Sequence, residues 1–382
     1  MKRRSVLSLP AAALAAPHLK DALAAAGFES PAVIDGNLPA FYEQLKEDLT
    51  FPLAYRSGDF RDWKRRARAQ FESLLCAPDD RTPFHAEVID EQPGPGYTRR
   101  QLVFDVTRYS RVRATMLIPD GRGPFPAALL LHDHGAKFDI GKEKLIEPWY
   151  DDTRLASARA WSEKYFSGRF PGDVLASRGY AVLCVDALGW GDRNGLVYDG
   201  QQALASNLYY LGSSPAGLMA REDARAAALL ATLPAVDPHR IAAVGFSMGA
   251  FRAWQVAALS DHIAATVAAC WMTGLREMMV PGNNTLRGQS SFYMLHPGLS
   301  RHLDIPDVAS LAAPRPAYFL DGELDPLFTP EGVATAYAKL SRIWTSQHAA
   351  SRLRTQTFPG LSHVFTAPMQ DEAFNFLDQH LL

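Results

Sequence analysis

Apolar and polar positions follow two different periods along the chain, and the period changes near residue 90. Between residues 37 and 76, apolar residues recur every three to four positions, which is typical of helices that bury one face. The stretches 100–107 and 111–121 instead alternate apolar and polar residues, as antiparallel strands with one exposed face do. The pattern therefore predicts helices first and a sheet afterwards.

From residue 125 onward, short apolar runs are separated by longer amphipathic stretches. The run FPAALLL is continuous, which indicates a strand covered on both faces. Further strands are predicted at 180–192, 240–246, 262–273, 314–325 and 352–360. Helices are predicted at 161–179, 215–236, 247–260, 330–349 and 370–381. This alternation predicts an α/β fold with a mostly parallel central sheet, helices on both faces and an antiparallel N-terminal edge.

The first 26 residues have the order of an export signal. Lys2, Arg3 and Arg4 precede a short apolar segment rich in alanine, and Ala13-Leu14-Ala15 and Ala22-Leu23-Ala24 are both possible cleavage sequences of small residues. Paired arginines before such a segment indicate the twin-arginine route, so we expect a periplasmic or secreted protein. The alternative is a cytoplasmic protein whose N-terminus is an alanine-rich helix.

Composition narrows the class of protein. The 382 residues are 47% hydrophobic and 21% charged, which suits a globular chain with a large core. The formal net charge of -2 gives no electrostatic reason to expect nucleic acid or an anionic membrane as a partner, and we expect no membrane span. Cys76, Cys184 and Cys270 are too scattered for a disulfide framework or a cysteine-based metal site.

Three polar residues follow predicted strands in the order Ser, Asp, His. Ser247 directly follows the run at 240–246 and lies between Gly245 and Gly249, as a serine on a sharp strand-to-helix turn would. Asp325 and His363 follow the two last predicted strands. Because chemistry gathers at the carboxyl ends of strands in an open α/β sheet, we expect the three side chains to meet. The plainer alternatives are a helix-start turn for the aspartate and a surface loop for the histidine.

With these motifs, the chain resembles α/β-hydrolases of the dienelactone hydrolase and acetyl xylan esterase-like branch. The resemblance covers about residues 90–382, which it implies are an α/β-hydrolase catalytic domain. The stretch 27–89 resembles the helical N-terminal extension of bacterial relatives. The segments that carry the resemblance are 129–144, 175–193, 245–249, 321–328 and 359–365.

The resemblance implies a catalytic triad. Ser247 would be the nucleophile, His363 its general base and Asp325 the carboxylate that orients the imidazole. Asp321 and Glu323 lie in the same stretch, DGELDP, and compete for the last role. Asp325 is favoured because Gly322 permits a turn and Pro326 keeps Asp325 extended. The acid of the resembling hydrolases also stands in a Gly-x-x-Asp pattern, which Gly322 and Asp325 match.

Two backbone N–H groups are expected to bind the negative charge that develops on the attacked carbonyl. One belongs to Met248, which follows the nucleophile, and the other lies in the loop HDHGAK. By resemblance the second donor is His134, with Gly135 the next choice. The pair His132 and His134 also invites a metal site, but no further ligands complete one, so we expect neither metal nor cofactor.

The substrate pocket is expected near the same strand ends. Trp190 and Arg193 follow one strand, and Trp271 and Met272 follow another, although each could equally belong to the core. The polar stretch 281–298 is a candidate lid or wall.

The sequence predicts a serine-dependent carboxylic ester hydrolase that acts through an acyl-enzyme on a small or carbohydrate-linked ester. A lactone hydrolase is the nearest alternative, but dienelactone hydrolases typically use cysteine where this chain has Ser247. A serine peptidase and a non-catalytic binding protein on the same fold remain as further alternatives. The sequence leaves the acyl group, the alcohol and the oligomeric state open.

Overall fold

In the computed structural model, a nine-stranded sheet runs through the described part of the chain, which comprises residues 33–34, 38–39, 42–75, 80–280 and 289–382. The export signal predicted at 1–26 lies outside these residues. A small antiparallel pair comes first, formed by β1 (Val33–Ile34) and β2 (Leu38–Pro39). The strands of the large sheet are β3 (Glu87–Pro93), β4 (Tyr97–Thr107), β5 (Ser110–Pro119), β6 (Phe125–Leu131), β7 (Ala181–Val185), β8 (Val236–Phe246), β9 (Ile263–Ala269), β10 (Ala317–Gly322) and β11 (Leu353–Phe358).

The strand order is β11-β10-β9-β8-β6-β7-β5-β4-β3. The six strands from β11 to β7 are mutually parallel, and β5, β4 and β3 add an antiparallel edge. The predicted α/β fold with a mostly parallel sheet and an antiparallel N-terminal edge is therefore confirmed. The sequence pattern missed β3, because this edge strand has exposed residues at nearly every position and so carries no apolar alternation.

Helices cover both faces of the sheet. They are α1 (Tyr42–Glu47), α2 (Phe60–Leu74), α3 (Asp152–Tyr165), α4 (Pro171–Ser177), α5 (Tyr198–Tyr210), α6 (Pro215–Thr232), α7 (Met248–Leu259), α8 (Leu275–Met278), α9 (Ile305–Ala309), α10 (Pro330–Ser346) and α11 (Ala367–Leu381). None of the helices in the described part of the chain is both long enough and apolar enough to cross a bilayer.

Two helix predictions need correction. The single helix predicted at 161–179 is two helices, α3 and α4, because the chain turns between them with Ser167 and Gly168 at φ values of 57° and 73°. Helix α5 was not predicted. Its buried residues are Gln201 and Ala205, one polar and one small, so the sequence shows no apolar stripe there.

The core has a part on each face of the sheet, and α2 belongs to one of them. Along β8, Ile241 and Ala243 face the first part, whereas Val244 and Phe246 face the second. Helix α2 adds Phe60, Trp63 and Phe71 to the same apolar cluster as the first part. The N-terminal segment and the sheet thus share a continuous core; the domain boundary at residue 90 stays a prediction.

The turn from β8 into α7 brings three backbone segments into direct contact. A Cβ atom added at Gly245 would lie 2.0 Å from the carbonyl oxygen of Gly249, and one added at Gly249 would lie 1.8 Å from the carbonyl oxygen of Leu131. Both clashes are with backbone atoms, which cannot rotate away as a side chain can. The two glycines are therefore required by the close approach of β6, β8 and α7.

We expect Gly249→Ala to lower the free energy of unfolding by about 3 kcal/mol or more, because the added methyl group overlaps the end of β6. Urea unfolding followed by circular dichroism measures the change. The matched control is Gly200→Ala in α5, where the nearest atom to the new Cβ is the end of a leucine side chain at 3.1 Å. The control should be neutral or more stable by about 0.5–1 kcal/mol. Equal stability of the two variants would contradict the prediction.

Candidate active site

Ser247 occupies the tip of the turn between β8 and α7 in a strained backbone conformation. Its φ of 56° and ψ of -126° lie in a region that residues with a side chain seldom adopt. Hydrogen bonds fix the turn, since the Ser247 N–H donates to the carbonyl of Ala269 at 2.8 Å and its own carbonyl accepts from Ala250 N–H at 2.8 Å. The conformation leaves the serine half-buried rather than enclosed in the core.

The structure brings Ser247, His363 and Asp325 into one chain of hydrogen bonds. The Ser247 Oγ lies 2.8 Å from His363 Nε2, and His363 Nδ1 lies 2.6 Å from Asp325 Oδ2. The other carboxylate oxygen of Asp325 accepts from Leu327 N–H at 2.9 Å, which fixes the carboxylate orientation. Because the nitrogen that faces the carboxylate carries the proton, Nε2 is the nitrogen that accepts from the serine hydroxyl.

The two competing carboxylates have other partners. Asp321 is buried in β10 and accepts from the Tyr337 hydroxyl at 2.5 Å, and burial raises the pKa of its carboxyl to about 8. It is therefore mostly uncharged at neutral pH and cannot stabilise an imidazolium. Glu323 is exposed and accepts from Gly360 N–H at 2.9 Å. Of the three acids, Asp325 is the one in contact with His363.

N–H groups without protein acceptors lie beside Ser247. Met248 is the first residue of α7, where backbone N–H groups have no intrahelical acceptor. Within the described residues, the N–H groups of His134 and Gly135 make no hydrogen bond, and both residues line the same cavity as Ser247. Within the described residues, the predicted donor N–H groups of His134 and Gly135 are thus not used by a protein acceptor.

The cavity over Ser247 has a volume of about 460 Å³. Tyr165, Tyr198 and Trp271 contribute aromatic walls, and Lys164 adds a positive charge. Apart from His134, the remaining lining residues outside the hydrogen-bonded chain are small or apolar, among them Met294, Pro326, Leu327 and Val364. A cavity of this kind suits a small molecule with a ring or a short chain.

The four residues predicted to bind substrate lie in different places. Trp271 lines the cavity, whereas Met272 is fully buried in the core. Trp190 is also fully buried, and its Nε1–H donates to the carbonyl of His134 at 3.0 Å. Arg193 forms a two-bonded ion pair with Glu222, at 2.6 and 2.9 Å, and does not line this cavity. From the described part of the stretch 281–298, Met294 reaches the cavity.

His132 and His134, the rival metal pair, have all four ring nitrogens engaged by protein groups. His132 Nδ1 contacts the Asp133 carbonyl at 2.9 Å, and Nε2 accepts from Ala187 N–H at 3.0 Å. His134 Nδ1 accepts from Ala136 N–H, and Nε2 donates to the side chain of Gln201. Burial lowers the pKa of His134 to about 4, so both rings stay neutral and act as hydrogen-bonding groups.

Two buried lysines escaped the sequence analysis of this site. Lys142 and Lys144 are fully buried, on the short turn that follows the loop HDHGAK. The Nζ of Lys142 lies 2.7–2.9 Å from carboxylate oxygens of Glu143, Asp186 and Asp192. Although burial opposes the charge, Asp186 and Glu143 raise the pKa of Lys142 well above its usual value. A charged pair in a polar stretch ordinarily indicates surface, so the pattern gave no signal of this burial.

The chain matches one family model and a relative of known sequence over most of its length. The family model described as "Abhydrolase family" matches residues 33–343. The protein named "Putative hydrolase YtaP" of Bacillus subtilis (strain 168) is 30% identical over 315 residues, which are 82% of this chain and 98% of that protein.

Solved structures share the fold at lower identity. One is described as a "putative acetyl xylan esterase" from Bacteroides fragilis NCTC 9343, with a TM-score of 0.64 and 20% identity over 83% of this chain and 82% of that chain. A glucuronoyl esterase from Solibacter usitatus has a TM-score of 0.59 and 15% identity, over 86% of this chain and 97% of that chain. The extent of the family match and the level of identity to the Bacillus protein show that this chain belongs to the Abhydrolase family of α/β-hydrolases.

Proposed function

We propose that this protein is a serine-dependent carboxylic ester hydrolase. The observation that carries the proposal is the continuous hydrogen-bonded chain from Ser247 through His363 to Asp325 at the floor of a cavity. A serine hydroxyl is a weak nucleophile without a base, and this arrangement supplies both a base and a carboxylate that orients it.

In the proposed reaction, His363 Nε2 takes the hydroxyl proton as Ser247 Oγ attacks the ester carbonyl carbon. Asp325 stabilises the imidazolium that forms. The carbonyl oxygen becomes an oxyanion and accepts from the N–H groups of Met248 and of His134 or Gly135. His363 then donates its proton to the leaving alcohol. In the second half of the reaction, His363 takes a proton from water as the water attacks the acyl carbon, and it returns that proton to Ser247 Oγ as the carboxylic acid leaves.

The substrate class follows from the cavity and is supported by the named relatives. About 460 Å³ holds a small ester, and the tyrosine and tryptophan walls suit the faces of sugar or aryl rings. The two solved structures are described as a "putative acetyl xylan esterase" and a glucuronoyl esterase. We therefore propose a small or carbohydrate-linked ester as substrate, with no cofactor.

Replacing the nucleophile tests the central claim. We expect Ser247→Ala to lower kcat for p-nitrophenyl acetate by roughly 10⁶-fold, because no other group forms the acyl-enzyme. Thermal unfolding checks that the fold is intact. A fluorophosphonate probe followed by peptide mass spectrometry should label Ser247 in the unaltered protein. Labelling of a different serine, or a variant of near-normal activity, would sink the proposed mechanism.

The acid of the triad is tested by a set of three substitutions. Asp325→Asn should lower kcat by about 10⁴-fold, because an amide no longer holds the required tautomer of His363. Glu323→Gln is the matched control on the same loop and should leave kcat within a few-fold. Asp321→Asn should also have a small effect on kcat, since that side chain is uncharged at neutral pH. A larger loss for Glu323→Gln than for Asp325→Asn would transfer the role to Glu323.

We also propose that residues 1–26 direct export through the twin-arginine route, on the strength of Arg3 and Arg4 before the alanine-rich segment. Changing both arginines to lysine should retain the protein in the cytoplasm of a bacterial host. Cell fractionation followed by an esterase assay locates the protein. The control is Arg56→Lys, which makes the same kind of change outside residues 1–26 and leaves Arg3 and Arg4 in place. Normal export of the double-lysine variant would exclude this route.

A further inference from the structure

Two consecutive peptide groups next to the nucleophile have both carbonyl oxygens doubly hydrogen-bonded. We call residues 132–136 the oxyanion loop. The Asp133 carbonyl accepts from Lys144 Nζ at 2.9 Å and from His132 Nδ1 at 2.9 Å. The His134 carbonyl accepts from Lys144 Nζ at 3.0 Å and from Trp190 Nε1 at 3.0 Å. A carbonyl oxygen has two lone pairs, so the capacity of both groups is filled.

Among the residues that the structure describes, Lys144 is the one whose side chain contacts both carbonyls. It has no exposed surface, and its Nζ also lies 3.3 Å from the carboxylate of Asp133 and 5.0 Å from the centre of the Trp161 ring. Burial lowers the pKa of this ammonium, which the Asp133 carboxylate opposes. Burying an amine is costly, and all of its short contacts are with the oxyanion loop, so its placement serves that loop rather than the sheet.

The positions of the carbonyls fix the positions of the N–H groups. In a trans peptide the C=O and the N–H of the next residue point in opposite directions. With the Asp133 and His134 carbonyls turned toward Lys144, the N–H groups of His134 and Gly135 must point away from it. His134 and Gly135 line the cavity over Ser247, so we infer that their N–H groups face this cavity.

The peptide group between His134 and Gly135 could rotate if its hydrogen bonds did not hold it. Gly135 and Ala136 have φ values of 56° and 53°, and glycine also adopts negative values readily. A flip of the peptide between His134 and Gly135 would turn a carbonyl oxygen toward the substrate and remove an N–H donor. That flip has to break both hydrogen bonds to the His134 carbonyl, from Lys144 and from Trp190.

We propose that Lys144 is a positioning residue that, together with Trp190, holds the oxyanion loop with its N–H groups toward the substrate carbonyl. The inference rests on the proposed ester hydrolysis and deepens it. Lys144 does not touch the substrate. It acts through the two backbone carbonyls, and its effect is therefore confined to the stage at which negative charge develops on the substrate oxygen.

The test removes the donors while avoiding an unpaired buried charge. One variant is the double substitution Lys144→Met and Asp133→Asn, which removes the ammonium and its carboxylate partner together. The second is Trp190→Phe, which removes a donor to the His134 carbonyl and keeps an aromatic ring. The matched controls remove the same kinds of bond elsewhere: Lys64→Met loses a bond to the Ala313 carbonyl, and Trp344→Phe loses one to the Arg315 carbonyl.

With p-nitrophenyl acetate, we expect kcat to fall roughly 10²-fold in the double variant and about tenfold in Trp190→Phe, with KM little changed. Affinity for a trifluoromethyl ketone, which forms an oxyanion adduct with serine, should fall by similar factors. The pH midpoint of kcat/KM should stay where it is, because the contacts of His363 are untouched. Both controls should retain kcat within about twofold.

Several outcomes would overturn the inference. The first is a folded double variant whose kcat is within twofold of that of the unaltered protein, and the second is unchanged affinity of that variant for the ketone. The third is a loss of kcat together with a shifted pH midpoint of kcat/KM, which would indicate that the triad is disturbed. If the double variant does not fold, Trp190→Phe decides by the same criteria. Failure of the proposed function looks different: the unaltered protein would neither hydrolyse the ester nor react with a fluorophosphonate at Ser247.

Discussion

The close approach between the backbone of Gly249 and the carbonyl of Leu131 sets the spacing between the nucleophile and the oxyanion loop. Strand β8 leads into Ser247 at one end of this contact, and β6 leads directly into the oxyanion loop at the other. Because backbone meets backbone without a side chain between, the distance between the nucleophile and the loop cannot vary with side-chain conformation. Ser247 keeps its strained backbone conformation because the packing of β6, β8 and α7 fixes the path of the turn.

The environment on the β6 side of the site is charged yet almost entirely buried. Lys144 and Arg252 lie near His132, and burial together with these cations keeps the pKa of His132 well below its usual value. The ring is therefore neutral, with one nitrogen as donor and the other as acceptor, which is what its two backbone partners require. Lys142 ties the next turn to Asp186 at the end of β7. The ring nitrogens of His132 and the ammonium groups of Lys142 and Lys144 thus all have hydrogen-bond partners, and the loop rests on this buried polar network.

The sequence alone predicted the parts of this site that depend on strand ends. Ser247, Asp325 and His363 were expected to meet because parallel strands end at the same edge, and the hydrogen bonds among them have that arrangement. Contacts made by loops were not predictable in this way. Trp190 and Arg193 follow the right strand, but whether such a residue faces the cavity or supports a neighbouring loop depends on loop conformation, which local pattern does not encode. Buried lysines and the polar-faced helix α5 run against the pattern that apolar residues mark the interior.

The position of α2 has a consequence for biosynthesis. This helix is made early, yet its partners are distant: Arg68 donates to the carbonyl of Ala258, and Lys64 to that of Ala313. At translation rates of roughly 5–20 residues per second, on the order of 10–50 s separate the emergence of the helix from that of its last partner. During this interval Phe60 and Trp63 have Tyr55 as a neighbour, but the core cluster of the sheet and α7 against which α2 packs is still incomplete. Helix α2 is therefore a segment of the nascent chain on which a chaperone could act before the sheet is complete.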